Sequence, residues 1–192
     1  MAPTVPDAID PRIERSRRLV LTAAIDLLAE VGYGAITIEA IAARSGVAKS
    51  TIYRHWPGKL ELIDDAFAEL KPPIELRVGG SVRERVIDLL EQVATHVSSS
   101  AWSACLPAMI EAAERDPAVR KLQRKITTQR RKLLVSLIRE GVASGELAAH
   151  LDPEMAADCL SGAIFTRRLM MRDDLVKPAE VAQLVSQVLG AP

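Results

Sequence analysis

The chain has 192 residues, 48% of them apolar and 3% aromatic, with 25 basic residues against 25 acidic ones. That apolar share excludes disorder throughout, and a balance rich in Ala and Leu but poor in aromatics favours packed helices over a β-sandwich. Zero net charge speaks against a uniformly basic nucleic-acid binder, so any such role must rest on a local basic face.

Residues 1–11 hold three prolines and two aspartates and carry neither the basic head nor the apolar stretch of a signal peptide. They read as a flexible arm. No later apolar run approaches the ~18 residues of a membrane span, so the expectation is a cytoplasmic protein with no membrane partner. The first helix is predicted from about Arg12 to Val31, with Val20, Ala24, Leu27, Leu28 and Val31 along one face. Gly32-Tyr33-Gly34 ends it, because glycine accepts the left-handed geometry of a helix stop. Thr37 is placed to cap a short helix, Ile38 to Arg44. Ser45-Gly46-Val47 leads into a second, Ala48 to about His55, and Trp56-Pro57-Gly58 breaks the chain again. A fourth helix begins near Lys59 and runs through Phe67 and Leu70 to the pair Pro72-Pro73, the strongest candidate for a domain boundary.

Beyond that pair the helices lengthen. Val82, Val86, Leu89, Leu90, Val93 and Val97 form one stripe, ending at Ser98-Ser99-Ser100. A helix from about Ala101 to Arg115 contains Pro107, which either interrupts it or sits harmlessly in a first turn. Asp116-Pro117 opens a long helix to about Ser144, with Leu133, Leu134, Leu137, Ile138 and Val142 wide enough for central burial. Further helices are predicted from Pro153 to about Met171 and from Pro178 to Leu189. No period-2 segment of useful length occurs. The fold class is all-α, with about nine helices.

The informative stretch is Thr37 to Lys59, TIEAIAARSGVAKSTIYRHWPGK. Two helices crossing at a tight turn need a small residue at the crossing, a residue tolerant of positive φ four positions on, and inward apolar anchors. Ala42, Gly46, Val47 and Ile52 meet those needs, facing Ile38 and Ile41. Lys49, Ser50, Thr51, Tyr53 and Arg54 are then left to reach phosphates and base edges. Arg44, Lys49, Arg54 and Lys59 lie in a stretch without an acidic residue, and Arg12, Arg15, Arg17 and Arg18 oppose only Glu14. Tyr53 and Trp56 are expected to be exposed beside them.

On Gly32-Tyr33-Gly34, Thr37-Ile38, Gly46-Val47, Thr51 to Trp56 and Lys59, the chain resembles the TetR family of bacterial repressors over about residues 12 to 63. The resemblance implies that Thr37, Thr51, Tyr53, His55 and Lys59 clamp phosphates, while Lys49, Ser50 and Tyr53 face bases of a double-stranded DNA operator. Ala48 departs from the pattern, which usually has a capping Ser there. The motifs Glu111 to Pro117 (EAAERDP) and Gly145-Glu146-Leu147 extend the resemblance into the larger half. There it implies a pocket for a small-molecule effector and a homodimer formed by the last two helices. The domains expected are an arm (1–11), a helix-turn-helix domain (12–58) and a ligand-binding and dimerisation domain (59–192). Leu160, Ile164, Val181, Leu184, Val185 and Val188 are the expected dimer seam, although the same stripe also suits an intramolecular core.

Large adaptable side chains outside the core stripes, namely Trp102, Cys105, Met109, Phe165 and Leu169 with Phe67 at the edge, are the expected ligand contacts. They favour an apolar or weakly polar molecule, whereas an inward Arg167 or Arg168 favours an anionic one. The basic run Arg120 to Lys132 reads as a solvated face. Cys105 and Cys159 read as unpaired thiols, and His55, His96 and His150 lack ligand spacing. No metal, cofactor or catalytic constellation is expected. The function read from these residues is a DNA-binding regulator, most simply a repressor released by its ligand.

Overall fold

The computed structural model describes residues 11–69, 73–171 and 175–190; the arm at 1–10, Leu70 and Pro72 lie outside them. The chain divides into two compact units between residues 71 and 72, and no strand occurs among the described residues.

The first unit holds α1 (Pro11–Ala35), α2 (Ile38–Ser45), α3 (Lys49–His55) and α4 (Lys59–Glu69). α1 does not simply stop at Val31. Gly32 takes φ 78° and ψ 166°, and one further turn follows. This glycine conformation turns the chain so that Tyr33 and Ile36 enter the core, leaving Val31 half exposed. α4 packs along α1, with Leu62, Ile63 and Phe67 buried. Although a boundary is expected at 58/59, α4 packs with the helix-turn-helix, its apolar face buried within the first unit. Phe67 goes with it.

The second unit holds α5 (Val82–Ser99), α6 (Ala101–Ala104), α7 (Leu106–Arg115), α8 (Pro117–Ser144), α9 (Pro153–Met170) and α10 (Pro178–Leu189). α8 packs against α5, α7 and α9, and α10 against α5 and α9. Local chemistry sets the starts. Ser81 and Glu84 close a capping box on α5. Asp116 accepts from Ala118 N at 2.8 Å at the head of α8, and Asp152 accepts from Glu154 N at 2.8 Å at the head of α9. Pro107 falls in the first turn of α7. The chain breaks at Cys105, so the proline displaces no interior hydrogen bond.

Gly145-Glu146-Leu147 has a packing reason. Gly145 caps α8 in the left-handed region, Leu147 N–H donates to Gly141 O at 2.9 Å, and Leu147 is buried. Glu146 accepts the otherwise orphaned N–H of Val82 at 2.7 Å, tying the end of α8 to the start of α5.

Four residues of the expected dimer seam are core instead. Leu160 and Ile164 of α9, and Val181 and Val185 of α10, are 0–2% exposed within one chain. α10 lies on α5 and α9, so that stripe is spent on intramolecular packing. Leu184 and Val188 remain only partly covered.

Candidate nucleic-acid interface

The helix-turn-helix is built from short-range interactions. Thr37 Oγ1 accepts from Ala40 N at 3.1 Å and starts α2. Gly46 ends it at φ 70°, its N–H donating to Ala42 O at 3.0 Å. α3 begins at Ala48 with no side-chain cap, so one of its first N–H groups lacks the hydroxyl partner that a serine would provide.

Two anchors orient α3. Ile52 is fully buried and Trp56 is 4% exposed. The expected exposure of Trp56 is thus corrected: its ring fills the core and its indole N–H donates to Asp65 Oδ2 at 2.8 Å. Asp65 also accepts from Arg17 Nη2 at 2.9 Å, while Glu69 takes Arg17 Nη1 at 2.7 Å. α1, the end of α3 and α4 are therefore joined through one carboxylate. Nothing in the sequence points to Asp65: only the burial of Trp56 makes an acceptor for its indole N–H necessary.

With Ile52 and Trp56 held, Lys49, Ser50, Tyr53, Arg54 and His55 are exposed and Thr51 is half-buried. Lys49 Nζ pairs with Glu39 at 3.3 Å, both side chains more than half exposed. Thr37 is exposed but its hydroxyl serves the cap. Lys59 is half-buried and turned partly to the chain's own backbone. Its ammonium donates to Tyr33 O at 2.8 Å and Ile36 O at 3.3 Å, and lies 4.4 Å from the Tyr33 ring centroid. It closes the turn after α1. Arg44 is held by a two-point pair with Glu30, at 2.7 and 2.9 Å, and this guanidinium keeps the Glu30 carboxyl below its ordinary pKa. Part of the basic charge is thus offset locally, whereas Arg54 makes no ion pair among the described residues. A groove of about 250 Å³ runs between α1 and α3, bordered by Arg12, Ser16, Arg17, Thr51, Arg54 and His55. Cationic and hydroxyl side chains facing one groove suit a phosphate backbone.

In the second unit Trp102, Cys105 and Met109 are buried and Phe165 and Leu169 half-buried. Two arginines join them. Arg168 turns inward, donating to Val97 O at 3.2 Å and Ser103 O at 2.9 Å, whereas Arg167 faces Glu180 at 3.5 Å. Arg130 lies on the Trp102 ring, 3.4 Å from its centroid. The run Arg120 to Lys132 is therefore not simply a solvated face: Arg120 caps α7 through Ala113 O and Glu114 O, and Arg131 pairs with Glu154 and Asp158. Arg130 falls in register with Val119, Leu122, Ile126 and Leu134 on the inner side of α8, a positional signal that a count of charges passes over. No helix among the described residues is long and apolar enough to cross a membrane.

Residues 20–66 match the family described as "Bacterial regulatory proteins, tetR family", and residues 79–188 match "Tetracyclin repressor-like, C-terminal domain". The HTH-type transcriptional regulator YdeS of Bacillus subtilis is 32% identical over 169 residues, 86% of this chain and 84% of its own. The HTH-type regulator Rv1556 of Mycobacterium tuberculosis is 28% identical over 170 residues, covering 88% of this chain and 81% of its own. Among solved structures, the TetR family transcription regulator SCO0332 shares 31% identity at a TM-score of 0.67, covering 93% of this chain and 99% of that one. TylP, a TetR regulator from Streptomyces fradiae, shares the fold at a TM-score of 0.73 and 24% identity, over 94% of this chain and 89% of that one. Both halves of the chain are matched, and YdeS exceeds 30% identity over most of its length; this chain belongs to the TetR family of helix-turn-helix transcriptional regulators.

Proposed function

We propose that the chain is a dimeric repressor that binds a two-fold symmetric operator through α3 and releases it when a small molecule occupies the second unit. The observation that carries the reading is the anchoring of α3: Ile52 and Trp56 are buried while Lys49, Ser50, Tyr53 and Arg54 stand exposed together. Regulators of this family bind DNA operators and small-molecule ligands and form dimers, which supports it. A dimer is also what a palindromic site demands, its two recognition helices entering grooves ~34 Å apart. The compartment is then the one that holds the DNA, the cytoplasm.

In this reading Lys49, Ser50 and Tyr53 address bases, and Thr37, Thr51, Arg54 and His55 address phosphates. Lys59 supports the turn from which α2 departs and offers phosphate its remaining donor. Leu184 and Val188, the partly covered members of the α10 stripe, contribute to the seam.

Binding-site selection from random DNA, followed by titration of variants on the recovered site, tests the assignment. Arg54→Ala should weaken all sequences alike and lower the salt slope by about one, whereas Lys49→Ala and Ser50→Ala should change the selected bases. A palindrome should emerge; a lone half-site, or unchanged affinity in Arg54→Ala and Tyr53→Ala, refutes the interface. Leu184→Glu with Val188→Glu should yield a monomer in sedimentation, because each would bury an unpaired charge. An intact dimer places the seam elsewhere.

A further inference from the structure

Under the effector reading, charges buried in the second unit decide what kind of molecule fits. Arg130 Nη2 is inaccessible to solvent and has no hydrogen-bond partner, and its guanidinium lies on the Trp102 ring. No ion pair reaches it from the described residues, although Arg131 beside it takes both Glu154 and Asp158. Burial alone pushes the Arg130 pKa down, to about 10, which leaves it charged at neutral pH. From α9, Arg168 reaches the residue next to Trp102, bonding the carbonyl of Ser103, and Ser103 is itself 2% exposed. His96 of α5 is the third titratable neighbour, held below its ordinary pKa by burial and then by the charge of Arg130. Four helices thus deliver two positive charges and a neutral imidazole to one turn.

A buried guanidinium nitrogen with no acceptor is costly, and an apolar side chain of similar length would avoid that cost. The planar fork of donors suits a two-oxygen anion, which a lysine or a hydroxyl would not match. We propose that Arg130, with Arg168 and Trp102 around it, is the head-group site of the effector, and that the effector is an organic carboxylate. This deepens the repressor reading and rests on it.

The test uses full-length dimeric protein with octanoate and benzoate, their neutral counterparts octanamide and benzamide, and inorganic phosphate. Calorimetry should show the carboxylates binding about tenfold or more tightly than the amides, as expected for a charge-assisted pair. The preference should vanish in Arg130→Met, while that variant without ligand melts no lower than wild type. Equal binding of acid and amide, no binding of the acids, a preference that survives Arg130→Met, or a lower melting temperature in that variant overturns the site. Phosphate binding as tightly as the acids overturns the carboxylate assignment. Anisotropy on the selected DNA separates the two readings. Carboxylate binding at Arg130 without loss of DNA affinity keeps the site and refutes the effector role. Amides that release DNA equally from wild type and Arg130→Met keep that role and refute the anion site.

Discussion

The two units treat positive charge in opposite ways. In residues 11–69, Arg17 is met by Asp65 and Glu69, Arg44 by Glu30 and Lys49 by Glu39, all at or near the surface. Pairs between exposed groups contribute little, roughly 0–1 kcal/mol, so Lys49 can exchange Glu39 for a phosphate at small cost. In the second unit Arg85 and Arg131 are paired likewise, but Arg130 and Arg168 turn inward, to an indole face and to backbone carbonyls. A cation at the surface is ready to trade partners with a polyanion, whereas one buried against a ring is out of such a partner's reach and, as the proposed head-group site, takes a single, shaped anion. The difference teaches that the number of basic residues says little about a unit's ligand. Which of them water still reaches says more.

Trp56→Ala should have the largest effect, because it removes a buried aromatic and the indole partner of Asp65. A loss of about 3–5 kcal/mol is expected for such a change, confined to the first unit. Hydrogen exchange resolved by segment checks it: protection should fall in α1–α4 and persist in α8, and a joint loss would show that the units do not fold independently. Gly141→Ala probes the second unit in the same way. A Cβ there would lie 2.7 Å from Leu147 Cδ1 and 2.9 Å from Val82 Cγ1, and overpacking of this kind costs about 1–3 kcal/mol. Denaturant unfolding should show it, with DNA recognition by α3 retained once the variant is folded.

Ala48→Ser works in the opposite direction. It supplies the hydroxyl that the start of α3 lacks and should stabilise the first unit by about 1 kcal/mol. Slower amide exchange at Ser50 and Thr51 is the readout, and unchanged exchange would mean that the new hydroxyl does not cap. The smallest effect concerns pH. Glu84 is held below its ordinary pKa of 4.5, first by the Ser81 N–H and then by the charge of Arg77. A carboxyl with a lowered folded pKa adds stability that is present above the ordinary value and lost as pH falls through the lowered one. Glu84→Gln should therefore flatten the acid limb of the stability curve of the second unit slightly below pH 4.5. A curve unchanged in shape would mean that the capping box contributes nothing through its charge.

What the sequence determined by itself is whatever depends on residues a few positions apart. The Thr37 cap, the Gly46 turn, the Asp116-Pro117 and Asp152-Pro153 helix starts and the helical repeat of the apolar residues are interactions between positions i and i+4 or nearer, so composition and spacing suffice to read them. The exposed face of α3 follows as well, once Ile52 is known to point inward. Only the tertiary structure decided which neighbour each apolar face and each long side chain would meet. Periodicity shows that α9 and α10 have apolar stripes but not that Leu160, Ile164, Val181 and Val185 are spent inside one chain. In the same way Trp56 reaches Asp65, Lys59 reaches back to Tyr33, and Arg130 meets Trp102 across 28 positions of sequence. Flexible side chains of this length have many possible partners at similar local cost, and the packing of distant helices leaves each of them one.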